Sequence, residues 1–217
     1  MNIAVLGASG GTGRRIVARA AESGHRVRAV ARNPASVPPT DGAVDVVAAD
    51  VLDREALISA VTDCNAVVWA VGGHDVVRTA LAGRRRQPGL CAEGTRGLLH
   101  AMTKQNVPRL LVISSWGVGD SRRRLPLAFR LFVAPVMLRA ELADKHRQEH
   151  LVRASDRIWT IVRPSRLTNH QSNGSYRVES QLRFASSSHT AREDLADFVV
   201  RCLNEELYKQ ETVEITH

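Results

Sequence analysis

Residues 7 to 13 read Gly7-Ala8-Ser9-Gly10-Gly11-Thr12-Gly13, directly after the apolar run Ile3-Ala4-Val5-Leu6. Glycine at this spacing leaves a backbone that can approach a phosphate group closely. Gly7 permits a tight turn, Gly10 lets the main chain meet a pyrophosphate, and Gly13 lets a following helix lie close to the preceding strand. Ser9, Gly11 and Thr12 complete the turn. The free N–H groups and the positive end of the helix would then face the phosphates. The next strand candidate ends at Ala31 and is followed by Arg32. Where a free ribose 2′-hydroxyl is recognised, Asp or Glu usually stands there, yet no acid occurs between Glu22 and Asp41. Arg32, Arg14 after the third glycine and the Ser36 hydroxyl instead suit a 2′-phosphate, through charge-assisted and often bidentate contacts. NADP, with NADPH as its reduced form, is the expected cofactor.

Alternating elements must position these groups. Ile3–Leu6, Val27–Ala31, Val44–Ala49, Ala66–Val71, Leu110–Ser114, Ile158–Val162 and Val213–Thr216 are strand candidates. Several are apolar without alternation, as strands covered on both faces are. Helical patterns lie between them, near 13–23, 53–62, 92–105, 139–154 and 191–206. Gly24 suits a left-handed C-cap and Asp53 an N-cap. Strand–helix alternation predicts an α/β fold: a single doubly wound Rossmann-like domain over 1–217, with a mainly parallel sheet of about seven strands. Loops 116–138 and 165–190 leave carboxyl ends of strands and form the predicted substrate side.

Composition limits the remaining classes. A chain of 217 residues that is 44% hydrophobic can bury one sizeable core. No apolar run is long enough for a membrane span, and the first residues enter a strand and turn without a signal-peptide pattern. Cys64, Cys91 and Cys202 lack disulfide or metal spacing and read as reduced, buried thiols, which implies a cytoplasmic location. The formal charge is +8, but of 30 basic residues only Lys104, Lys145 and Lys209 are lysines, and the arginines are scattered. Nucleic acid is therefore not the expected partner. Arg84–Arg86 and Arg122–Arg124 read as solvated loops, with an anion site as the minority reading. His146-Arg147-Gln148-Glu149-His150 matches an inverted zinc-protease pattern, but no third ligand is indicated and no metal is expected. His74 follows a strand end and could lie near a cofactor, with ordinary loop polarity the preferred reading. Trp116 and Trp159 could stack on a ring system, with core packing preferred for Trp159.

The spacing Gly7-x-x-Gly10-x-x-Gly13 resembles the short-chain dehydrogenase/reductases, and further motifs resemble their atypical NmrA-like and biliverdin reductase B/flavin reductase-like members. Asp50-Val51 looks like the adenine-contacting pair of that family, and Ala70-Val71-Gly72-Gly73 like its segment beside the ribose. Ser114-Ser115 stands where the family carries its active-site serine. Lys145-x-x-x-Glu149-x-Leu151, followed by Trp159-Thr160-Ile161-Val162-Arg163-Pro164, looks like the helix, strand and Arg-Pro turn near the nicotinamide. Thr190-Ala191-Arg192-Glu193-Asp194-Leu195-Ala196 resembles a late helix start. The resemblance implies Ser115 and Lys145 as groups that polarise the acceptor or orient the ribose, and Arg163 and Pro164 as cofactor neighbours. One departure stands out. The family's usual Tyr-x-x-x-Lys is missing: Tyr176 and Tyr208 have no lysine four residues on, and Glu141 precedes Lys145 at that spacing. Hydride delivery to a ketone needs a positioned acid. Delivery to a flavin, quinone or linear tetrapyrrole leaves a delocalised anion that solvent can protonate. The expectation is an NADPH-dependent reductase of conjugated small-molecule acceptors of flavin, quinone or tetrapyrrole type. The alternatives are a non-catalytic NADP-binding sensor with a protein partner, or a ketoreductase or epimerase-like enzyme with a non-standard acid such as Glu141.

Overall fold

The computed structural model describes residues 1–38, 43–72, 89–125, 139–172, 174–185 and 187–217. Ten strands and five α-helices occur among them. β1 (Asn2–Leu6), α1 (Gly11–Glu22), β2 (Arg26–Ala31), β3 (Val44–Ala48), α2 (Arg54–Val61) and β4 (Ala66–Trp69) form the first half. α3 (Leu90–Lys104), β5 (Arg109–Ile113), α4 (Arg139–Arg153), β6 (Ile158–Pro164), β7 (Arg166–Thr168), β8 (Arg177–Glu179), β9 (His189–Ala191), α5 (Arg192–Asn204) and β10 (Glu211–Thr216) follow. The sheet runs β3-β2-β1-β4-β5-β6-β10-β8. Every pairing in it is parallel except β10 with β8.

The apolar strands are explained by cover on both faces. Along β1, Ile3 and Val5 pack with Ile16 and Val17 of α1 and Leu195 and Phe198 of α5. Ala4 and Leu6 point the other way, toward Leu57 of α2, Leu98 of α3 and Val152 of α4. Asp53 caps α2, its carboxylate accepting from the N–H groups of Glu55 and Ala56. Gly24, at φ +80°, ends the α1 turn as expected, and its N–H reaches the Ala21 carbonyl.

The sheet has one strand more than the sequence predicts. β8 is three residues long and lies inside the 165–190 stretch read as a loop, as does β7, which pairs with β9 in a separate two-stranded sheet. Segments so short carry no usable period. β4 also stops at Trp69 rather than Val71, because the chain turns there toward the glycine turn of β1.

Candidate functional site

The sheet order reverses direction at β1, with β2 and β3 on one side and β4 onward on the other. In a doubly wound sheet the ligand crevice opens at that point, beyond the carboxyl ends of the strands. The glycine turn sits there. Gly7 has φ +84°, and a Cβ on it would lie 2.9 Å from the Ala70 carbonyl carbon and oxygen and 3.1 Å from Val71 N. Only glycine permits that contact, so Ala70 and Val71 are held against the turn. Gly72 continues the segment at φ +109°. A Cβ on Gly13 would come within 2.1 Å of the Gly7 carbonyl oxygen, which accounts for the close seating of α1 on β1.

The first turn of α1 has no acidic residue, and Gly10 at its N-cap provides no side-chain cap. The first main-chain bond into the helix runs from Arg14 N–H to the Gly10 carbonyl. The N–H groups of Gly11, Thr12 and Gly13 precede it and form the positive end of the helix. This arrangement suits a pyrophosphate, so the residues present fit a dinucleotide. Ser9 lies half-buried in the turn, while Arg14, Arg32 and Ser36 are exposed near it and at the end of β2. Among the described residues, neither arginine has an ion-pair partner. The Ser36 hydroxyl donates to the Asn33 carbonyl at 2.5 Å. Asp50 is exposed and accepts from Leu52 N–H, and Val51 is buried under α3. Gly94 of α3 makes that packing possible: a Cβ there would stand 2.6 Å from the Trp69 ring.

Ser115 and Lys145 are brought to one strand end. Ser115 follows β5, half-buried, with its hydroxyl donating to the Trp116 carbonyl at 3.2 Å. Lys145 is 3% exposed and its ammonium donates to the Ile113 carbonyl at 3.2 Å. The Lys145 ammonium thus holds the end of β5. α4 divides its work along its length. Asp144 accepts from the N–H groups of Cys91 and Ala92, capping α3, and Gln148 donates to Thr95. Glu149, one turn after Lys145, accepts from the Ser114 hydroxyl at 2.6 Å.

Arg163 corrects an expectation. The resemblance places it beside the cofactor, but it is 1% exposed and its guanidinium is bound inside the protein. Nε and one terminal nitrogen donate to Glu149 at 2.9 and 2.7 Å, and the other donates to Asp120 at 2.7 Å. All three of its side-chain nitrogens are thus engaged by carboxylates of the protein itself. Pro164 is likewise buried, its carbonyl accepting from Trp116 N–H. Burial alone would raise the Glu149 carboxyl. The hydrogen bonds and charge of Arg163 outweigh that effect, with help from Ser114 and Arg153, and hold it below the usual carboxylate range. Asp120 is lowered in the same way, against its own partial burial.

The Arg122–Arg124 run also divides. Arg122 and Arg123 are exposed, whereas Arg124 donates to both oxygens of the fully buried Glu214, at 2.6 and 2.8 Å. Trp159 belongs to the core, as its strand position suggests, and Trp116 packs on Phe184 with ring centroids 4.3 Å apart. Both tyrosines pack against Phe198 of α5. Glu141 is half-buried one turn before Lys145 on α4. The three cysteines are buried, and burial pushes the Cys202 thiol up to about 12. His74 and Arg84–Arg86 lie outside the described residues. Among those described, no helix is long and apolar enough to cross a membrane.

One residue at this crevice escapes a reading based on motifs alone. Arg192 opens α5, and a Cβ on Gly11 would stand 3.2 Å from its Nε. The available signal was the sequence pattern of the late helix start. Nothing in it says that α5 docks beside α1.

Fold and site together define a doubly wound dinucleotide-binding domain. Residues 7–206 match the model of the NAD(P)H-binding family, and the chain belongs to that family. A short-chain dehydrogenase/reductase from Veillonella parvula, solved in complex with NADP, superimposes with a TM-score of 0.81 at 16% identity, over 100% of this chain and 94% of that one. ChuY, an anaerobillin reductase from Escherichia coli O157:H7, gives 0.80 at 20% identity, over 99% and 96%. An uncharacterized protein of Mycobacterium tuberculosis is 37% identical over 116 residues, which is 53% of this chain and 12% of that protein. The chain thus spans a small part of the curated relative's length.

Proposed function

We propose that the protein is an NADPH-dependent reductase that delivers hydride to a conjugated small-molecule acceptor of flavin, quinone or tetrapyrrole type. The observation that carries the cofactor half is an acid-free helix start beside Arg14 and Arg32. The carboxyl edge of the sheet would hold NADPH across Gly7–Gly13, with Asp50 and Val51 toward the adenine and Ala70–Gly72 toward the ribose. Bound NADPH would supply the hydride. The chain's own contribution is placement. Glu149 fixes Ser114, Lys145 fixes Ile113, and Ser115 is thereby set at the end of β5, where its hydroxyl can offer a proton to an acceptor. Proximity supplies most of the rate under this reading. The acceptor half rests on the tyrosines: the sequence has two, both packed on α5 and neither followed by lysine at the family's spacing.

The test is steady-state NADPH oxidation with flavins, quinones and simple ketones. Turnover of conjugated acceptors well above ketones supports the reading. Ketone turnover lost in Glu141→Gln would assign the acid to Glu141 and sink it. A second reading, a non-catalytic NADP-binding sensor with a protein partner, is favoured by the internal bonding of the Lys145 ammonium and its burial. Tight NADP binding without oxidation by any acceptor would select that reading.

A further inference from the structure

α5 reaches the crevice from the far end of the sequence. Its first turn meets that of α1, with Arg15 Nε 3.8 Å from the Glu193 carboxylate. Arg192 lies across the Gly11 backbone: a Cβ there would meet its Nε at 3.2 Å, its Cδ at 3.3 Å and its Cζ at 3.9 Å. Arg192 stands beside the positive end of α1, whose own first turn has no acid, and it opens α5, whose first turn carries Glu193 and Asp194. An anion on the N–H groups of Gly11 to Gly13 would lie beside this guanidinium and draw on both. The same guanidinium donates to Asn169 Oδ1 at 2.9 Å. The next two residues of α5 hold the same stretch of chain. Glu193 accepts from Ser172 N–H at 3.1 Å, and Asp194 from the Ser172 hydroxyl at 2.5 Å.

We propose that Arg192 is a cationic contact for the dinucleotide pyrophosphate and, through Asn169, ties occupancy of the phosphate site to the position of residues 169–172 on the substrate side. The proposal rests on the dinucleotide reading above. Arg32 and Arg192 divide the phosphates between them: Arg32 serves the 2′-phosphate, which NADH lacks, and Arg192 the pyrophosphate, which both dinucleotides carry.

The experiment is a titration of NADPH and NADH into the parent, Arg192→Gln, Arg192→Lys and Asn169→Ala, followed by fluorescence. Hydrogen exchange of residues 169–172 is measured with and without NADP. Arg192→Gln should weaken both dinucleotides by a similar factor, on the order of ten- to a hundredfold for a charge-assisted bond. Arg192→Lys should recover part of the loss. Asn169→Ala should weaken NADP far less than Arg192→Gln does, and should lose the protection that NADP confers on 169–172. Equal affinity in the parent and Arg192→Gln overturns the proposal, as does a loss confined to NADPH. Exchange at 169–172 that does not respond to NADP in the parent overturns the coupling. Melting without ligand separates a folding defect in Arg192→Gln from a binding one, and the charge-retaining lysine variant reports independently. A parent that binds neither dinucleotide overturns the underlying reading before any variant is compared.

Discussion

A buried guanidinium and an exposed one occupy comparable strand-end positions here, and they do different things. Arg163, at the end of β6, is enclosed with Glu149 and Asp120, each of its three nitrogens bonded to a carboxylate. Removing one partner of such a pair leaves a buried charge without compensation, so Glu149→Ala should cost about 3–5 kcal/mol of stability. The pH dependence has a definite sign. Glu149 and Asp120 have native carboxyls held below their unfolded values of 4.5 and 3.8. Their contribution is complete above those values and is lost as pH falls through the lower native ones. Melting temperature in the parent should therefore decline as pH drops below about 4.5, and Glu149→Gln, destabilised throughout, should decline less steeply. Equal slopes in a pH series of thermal melts would contradict the pairing. Arg32, after β2, is exposed. Arg32→Ala should weaken NADPH by about 1.5–3 kcal/mol, roughly ten- to a hundredfold, and leave NADH almost unchanged. Parallel titrations of the two dinucleotides decide this; equal losses would remove Arg32 from the 2′-phosphate.

At the level of elements, the strand–turn–helix unit is where sequence and structure agree most closely, because its constraints are local. Gly7, Gly10 and Gly13 each have a separate steric reason, and two substitutions distinguish them. A Cβ on Gly13 would sit 2.1 Å from the Gly7 carbonyl oxygen, so Gly13→Ala must push α1 off β1 and should destabilise the fold by about 1–3 kcal/mol. A Cβ on Gly10 meets the same oxygen at 3.2 Å, a milder contact. Gly10→Val should therefore keep the fold but remove dinucleotide binding, seen as loss of the rise in melting point that saturating NADP gives the parent. The parallel strands were equally legible, since cover on both faces writes itself into unbroken apolar runs such as Ala66–Trp69. What the sequence hid depends on contacts between distant segments. The three-residue strands β7, β8 and β9 exist through their partners and have no period of their own. Arg163 and Arg124 look like ligand-binding arginines until Glu149 and Glu214, from other elements, are found facing them. Arg192 shows the reverse case, becoming a site residue only because α5 packs beside α1.

Over the whole molecule, charge neutralised inside the fold is distinct from exposed charge, and under the proposed reductase reading that bears on which acceptor would be taken. Arg124 and Arg163 are neutralised within the fold, whereas Arg122, Arg123 and Arg166 remain exposed on segments that follow β5 and β6. The formal charge of +8 adds a general attraction for anions. Trp116, packed on Phe184, offers an aromatic surface in the same region. An acceptor with a flat ring system and a phosphate or carboxylate would use both features. Flavin mononucleotide should therefore be reduced faster than riboflavin, and the gap should narrow at high salt as screening shortens the reach of the exposed arginines. Ser115→Ala should slow turnover by about ten- to a hundredfold if its hydroxyl assists proton transfer, a loss at the low end of general-acid effects. That loss should appear in kcat, because the hydroxyl acts on developing charge and contributes little to holding the ground state. Acceptor-dependent NADPH oxidation at low and high salt measures both effects. Equal rates for the two flavins at low salt would remove the arginines from substrate selection, and an unchanged kcat in Ser115→Ala would leave solvent as the proton source.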